Sequence, residues 1–252
     1  MSFDVAATSY DRFMGRFSRP LSVAFADWLD VRAGLTALDV GCGPGALTAE
    51  LVDRVGAASV TAVDPSEPFV AAVRERLPQV TVMQASAEHL PLAAARYDLV
   101  TAQLVVHFMT DPLAGVGEMR RVARPGGVIA VSVWDFAGAR APQSAFFGAL
   151  RAVVPDADDE VDRAGARRGE LSGLLEQAGC RDIEQTELTV TVTSPTFEDW
   201  WEPYTLGVGP AGVQLTALTT DRRQAVRDRC RARLGSGPIR TTATAWAAKG
   251  LR

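Results

Sequence analysis

The 252-residue chain is expected to adopt a doubly wound α/β fold built on a mostly parallel sheet. Three observations carry that expectation: the run Asp39-Val40-Gly41-Cys42-Gly43-Pro44-Gly45, an acid at Asp64, and a regular alternation of strand-like and helix-like segments around them. Leu35 to Val40 is apolar and opens just after Gly34, as a short buried strand does. The glycines that follow make a tight turn where backbone can approach a ligand, because no Cβ stands in the way. Leu47, Leu51 and Val55 then recur at helical spacing. Strands are expected at about 35–40, 59–63, 79–83, 97–102 and 127–133, with helices at about 46–55, 67–77 and 113–123 between most of them. Asp111 is suited to cap the last of these helices. Such alternation implies parallel strands joined by right-handed crossovers. Ahead of this unit, Leu21, Phe25, Trp28 and Leu29 form the apolar stripe of a helix, with Pro20 placed in its first turn. Beyond it come a helix at about 168–178, closed by Gly179, and a strand from Thr186 to Thr193 with one wet face.

Strand, glycine turn, helix and a later acid make up half of a nucleotide-binding unit, with Asp64 placed to accept hydrogen bonds from ribose hydroxyls. Gly41, Gly43 and Ala46 also spell the dinucleotide pattern G-x-G-x-x-A, which leaves an NAD-dependent oxidoreductase open. Asp39 separates the two readings. A dinucleotide sets its pyrophosphate at this helix N-terminus, where a carboxylate would repel it. S-adenosylmethionine carries a sulfonium and an α-ammonium and no phosphate, so a carboxylate at the strand mouth suits it, directly or through a water. The Y-x-x-x-K pair of short-chain dehydrogenases is absent.

These residues resemble class I S-adenosylmethionine-dependent methyltransferases of the small-molecule type. Asp39 to Gly45 matches the first motif, D-x-G-x-G-x-G, and Val63-Asp64-Pro65-Ser66 the ribose-binding acid. Ser86-Ala87-Glu88-His89-Leu90-Pro91 is similar to the adenine-contacting loop, with Ser86 where an Asp often stands; a hydroxyl accepts that bond more weakly. Tyr97-Asp98-Leu99-Val100 and Arg124-Pro125-Gly126-Gly127 match the fourth strand and the turn before the fifth. The resemblance covers 35–133 and implies a Rossmann-like sheet of seven strands with an antiparallel edge strand. It further implies S-adenosyl-L-methionine as cofactor, S-adenosyl-L-homocysteine as product, and Asp39, Gly41, Gly43, Gly45, Asp64, Pro65, Ser66, Ser86, Ala87 and Glu88 as binding residues.

Composition sets the outer bounds. Length and apolar content suit one globular domain over 1–252, and a net charge of −4 argues against a nucleic-acid partner. Without an apolar run of about eighteen residues or a signal-like N-terminus, a cytoplasmic chain off the membrane is expected. Cys42, Cys180 and Cys230 are scattered, suggesting reduced thiols and no metal site.

Two segments interrupt the alternation, 135–166 with its acidic run Asp156-Ala157-Asp158-Asp159-Glu160, and 194–238 with Trp200, Trp201 and Tyr204. Together with residues 1–34 they are expected to form a partly helical cap over a substrate mouth. Within it Tyr10 is placed to cover the cofactor's methionine end. Arg12 and Arg16 are candidates for an anionic substrate, and Trp200, Trp201 and Tyr204 for the substrate wall. One of the two adjacent tryptophans is expected to line the cavity, since neighbours on a helix diverge. Gln103, at the end of the fourth strand, is placed to touch the methionine part of the cofactor. His107 is the candidate general base, against the plainer reading that it packs at the start of the next helix. The arginines of 222–233 are expected to be a solvated helix face. The expected function is methyl transfer to a small or medium organic acceptor, with a non-catalytic S-adenosylmethionine-binding protein as the further alternative.

Overall fold

The computed structural model describes residues 7–252; of the expected cover segment, residues 1–6 lie outside the described residues. One sheet holds seven strands: β1 (Ala37–Val40), β2 (Val60–Asp64), β3 (Thr81–Gln84), β4 (Tyr97–Gln103), β5 (Ala123–Trp134), β6 (Arg181–Ser194) and β7 (Ile239–Leu251). Their order is β3-β2-β1-β4-β5-β7-β6. The first five run parallel, and β7 runs antiparallel to both β5 and β6. The reversed strand is therefore seated one place in from the edge, and β6 closes it. Chain order reverses between β1 and β4, and in such sheets the crevice beyond the carboxyl ends of those strands is where ligands bind.

The helices are α1 (Ala7–Tyr10), α2 (Arg16–Trp28), α3 (Ala46–Val55), α4 (Glu67–Arg76), α5 (Pro112–Val122), α6 (Ser144–Arg151), α7 (Glu170–Gln177), α8 (Phe197–Trp201), α9 (Gly209–Ala217) and α10 (Thr220–Leu234). The predicted crossover helices match α3, α4 and α5 to within a residue, and Asp111 caps α5 through its carboxylate and the Ala114 N–H. A correction falls on Pro20, which sits inside α2 rather than in its first turn. The helix starts earlier because a π-helical turn, Asp11–Gly15, joins it to α1, and its face buries Phe13, Met14 and Phe17 ahead of Leu21 and Phe25. Such turns often occur at functional sites. Among the described residues no helix is long and apolar enough to cross a membrane.

The two interrupting segments pack on each other: α10 lies against α6 and α8, and α9 against α6. Phe146 of α6 stacks on Tyr204 at 4.4 Å, and Trp201 lies 6.2 Å from both Phe146 and Phe197. The aromatic density of 194–238 is thus the core of the cap. Val226 and Cys230 form the buried stripe of α10, while Arg227 and Arg231 reach Glu198 and cover the Phe197 ring from outside.

Candidate cofactor and acceptor site

At the switch point the turn after β1 is held by its own backbone. The N–H groups of Gly41 and Cys42 both donate to the Val63 carbonyl, at 2.8 and 3.0 Å. Gly41 has φ +70°, and a Cβ there would lie 2.5 Å from a Val105 methyl. Gly41→Ala is therefore expected to destabilise the fold by about 1–2 kcal/mol from the left-handed backbone alone, plus the clash. Val105→Ala in the same chain should recover the clash part, read as the difference between urea midpoints; no recovery would place the cost elsewhere.

Asp64, at the end of β2, accepts from the Gly43 N–H through Oδ2 and from the Ser66 N–H through Oδ1, both at 2.8 Å. Burial raises its pKa, and those two backbone donors work against the rise. A carboxylate oxygen has two acceptor directions, so each keeps one for a ligand. Pro65, Ser86, Ala87 and Glu88 stand with Asp64, Gly41 and Gly43 around a cavity of about 450 Å³. Glu88 also accepts from the Thr110 N–H at 2.9 Å, which ties the loop after β3 to the start of α5. Tyr10 closes part of this cavity edge-on to Phe69, ring centres 5.3 Å apart. Ser66 and Gly45 are not among its walls: Ser66 supports Asp64 by its backbone, and Gly45 precedes α3 with its Cα facing Val73.

Asp39 is buried beside a smaller cavity of about 40 Å³, next to Gln103 and Ser18. Its Oδ2 accepts from Thr48 Oγ1 at 2.7 Å, and burial lifts its pKa to about 7 despite that bond, with the nearby Asp64 charge adding to the rise. Gln103 donates through Nε2 to Ser22 Oγ and the Ser18 carbonyl, while its Oε1 has no partner among the described residues. A buried carboxylate and an unmatched amide oxygen at one cavity are a donor set for a cation such as an α-ammonium. This is a fit for S-adenosylmethionine and a poor one for a pyrophosphate.

The titration of Asp39 has a definite sign. Its folded pKa lies above the unfolded value near ~3.9, so its contribution to stability is full below about pH 4 and is lost as pH rises through about 7. Asp39→Asn should lack that loss. Relative to the wild type, the variant is expected to gain stability between pH 5 and 8 in urea unfolding; a constant difference would contradict the raised pKa.

Several expected site residues lie elsewhere. Arg12 pairs with Glu202 at 2.6 Å, and Arg16 donates to Ser194 Oγ and to the Asp199 and Trp200 carbonyls. Both tie α2 and its π turn to the cap and stand outside the large cavity's walls. Trp200, Trp201 and Tyr204 are all buried, and none is a wall of that cavity. The expectation that one of the two tryptophans lines the cavity is not met, because α8 packs against both α10 and β6 and both rings are covered there. His107 does line the cavity, in a short 3₁₀ turn (Val106–Phe108) after β4. Burial, with the Arg163 charge nearby, lowers its pKa to about 3, so it is neutral at physiological pH and a weak base.

Sequence reasoning missed Leu104, Phe69, Arg163 and Glu160. Leu104 follows β4 at φ +62°, walls both cavities, and donates its N–H to the Ser132 carbonyl. A left-handed leucine costs about 1–3 kcal/mol, and such strain clusters at functional sites.

The sequence profile of the methyltransferase domain matches residues 38–131. The malonyl-[acyl-carrier protein] O-methyltransferase of Geobacter sulfurreducens is 30% identical over 185 residues, 72% of this chain and 67% of that protein. An uncharacterized methyltransferase of Mycobacterium bovis is 37% identical over 135 residues, 54% of this chain and 52% of its own, so the chain spans about half the length of such relatives. Among solved structures, the phosphoethanolamine N-methyltransferase 2 of Haemonchus contortus, in complex with phosphomonomethylethanolamine and S-adenosylhomocysteine, superposes with a TM-score of 0.61 at 14% identity. That superposition covers 99% of this chain and 57% of that one. The chain belongs to the class I S-adenosylmethionine-dependent methyltransferase family.

Proposed function

We propose that the protein transfers a methyl group from S-adenosyl-L-methionine to a small or medium organic acceptor. One observation carries the cofactor assignment: the buried Asp39 and Gln103, whose Oε1 has no partner among the described residues, line one cavity beside a glycine turn that Asp64 braces. In this reading Asp64 takes the ribose hydroxyls, Asp39 and Gln103 the α-ammonium, and Tyr10 covers the methionine end. Pro65, Ser86, Ala87 and Glu88 surround the adenine. Bound there, S-adenosylmethionine supplies a methyl carbon already activated by positive sulfur. The protein's part is to hold the acceptor in line with that carbon and keep water out, and such orientation is worth up to about 7–11 kcal/mol of barrier. Aromatic walls suit a transition state in which positive charge spreads.

The relatives' names span several acceptor types, and the acceptor is set by the cap rather than by the shared motifs. Incubation with methyl-labelled S-adenosylmethionine and a fractionated small-molecule extract is expected to move label into one fraction while S-adenosylhomocysteine accumulates. Cofactor binding without any label transfer would instead favour the non-catalytic alternative.

A further inference from the structure

Beside the large cavity lies a smaller one of about 30 Å³, and the two share Tyr10, Leu104, His107 and Phe108 as walls. The cofactor assignment makes no use of this annex. Phe13, Trp134 and Phe136 give it an aromatic lining, into which Gln143 and Glu160 bring polar groups. Gln143 is 5% exposed and Glu160 2%; the Oε1 of each, and Nδ1 of His107, have no hydrogen-bond partner among the described residues. Buried polar atoms are nearly always matched, so unmatched acceptor oxygens converging on one cavity point to a ligand that brings the donor.

The loop is shaped to aim Glu160 inward. Asp158 accepts from the Glu160 N–H at 2.9 Å and Asp159 from the Val161 N–H at 3.4 Å, while Glu160 itself has φ +65°. Asp158 also pairs with Arg163, and Asp159 with Arg151. Of the four carboxylates in the acidic run, those of Asp158 and Asp159 brace the turn and that of Glu160 enters the annex. Arg163, which lines the large cavity and not the annex, stands 3.8 Å from Glu160 and 2.9 Å from Asp158, so two carboxylates already balance it. An anionic acceptor would meet that carboxylate without an uncompensated positive charge to offset it.

We propose that the annex, which has room for a polar group but not for a ring, receives the reacting end of the acceptor, that it selects a neutral hydroxyl or aromatic amino group whose apolar skeleton lies in the adjoining large cavity, and that Glu160 grips the O–H or N–H and takes its proton. The proposal rests on the methyl-transfer reading above. For a hydroxyl acceptor, an oxygen electron pair forms the bond to the methyl carbon and the O–H proton passes to the Glu160 carboxylate. The carbon–sulfur pair stays on sulfur, turning the sulfonium into a thioether. For an aromatic amine the nitrogen lone pair forms the bond, and the N–H proton leaves to the same carboxylate. Burial raises the Glu160 pKa to about 7, with Arg163 opposing and Asp158 and Asp159 adding to the rise. The facing His107 is neutral and Tyr10 is held protonated by burial, so Glu160 is the group in the annex that exchanges a proton near neutrality.

The test is calorimetric titration of phenol, aniline and benzoate into protein saturated with S-adenosylhomocysteine, for the wild type and for Glu160→Gln. Phenol and aniline are expected to bind the wild type at least tenfold more tightly than benzoate, and the preference is expected to shrink below threefold in Glu160→Gln. Equal or tighter binding of benzoate, no binding of either donor probe, or a preference that survives Glu160→Gln would each overturn the proposal. The wild-type comparison decides alone if the variant does not fold. Failure of the wild type to bind S-adenosylhomocysteine would overturn the cofactor reading itself, and with it the proton-accepting role of Glu160.

Discussion

Asp64→Ala is expected to weaken S-adenosylmethionine binding by about 2–4 kcal/mol, roughly 30- to 700-fold in Kd, because hydrogen bonds to a charged group contribute about 1.5–3 kcal/mol each. In the proposed reading the carboxylate takes two ribose hydroxyls at once. It also holds the Gly43 N–H, so its loss releases the middle of the glycine turn as well as the sugar. The same substitution leaves two backbone donors, on Gly43 and Ser66, without their partner. A stability loss of about 1–3 kcal/mol should accompany the affinity loss. Titration at a temperature well below the variant's unfolding midpoint separates the two effects. An unchanged Kd in a folded variant would show that the ribose is held elsewhere.

Trp200→Ala is expected to cost about 3–5 kcal/mol of stability, the usual range for deleting a large buried aromatic. Its ring is 1% exposed and lies 5.0 Å from Tyr204 and 5.8 Å from Phe197. That is a large share of the total of about 5–15 kcal/mol that holds a domain together. Because the ring is not a wall of the large cavity, the affinity of the folded fraction for S-adenosylhomocysteine should stay within about twofold. A loss below about 1 kcal/mol, with acceptor KM raised instead, would return Trp200 to the substrate wall where the sequence first placed it.

The parts of this protein legible from sequence are those whose residues act near where they stand in the chain. The turn from Asp39 to Gly45 and the crossover helices α3 to α5 repeat a local pattern, and each glycine or capping residue serves its own neighbours. The cap was visible as an interruption but not as a structure. Its core depends on Phe146 meeting Tyr204 from a separate segment, and no local period announces such a pairing. Arg12 and Arg16 looked like ligand contacts for the same reason, since Glu202 and the Asp199 carbonyl lie far along the chain. Leu104 carries no signal at all, because nothing in a leucine side chain marks a left-handed backbone. Glu160 was hidden in a run of acids where nothing sets one carboxylate apart from the next; only the turn braced by Asp158 and Asp159 distinguishes it.

The central claim is that the crevice between β1 and β4 takes a sulfonium nucleoside rather than a dinucleotide, and parallel calorimetric titration with S-adenosylmethionine, S-adenosylhomocysteine and NADH tests it directly. The account predicts binding of both sulfur ligands, with a micromolar Kd corresponding to about 8 kcal/mol, and no heat from NADH. Binding of NADH alone would contradict it, since the buried Asp39 would then be lying beside a pyrophosphate.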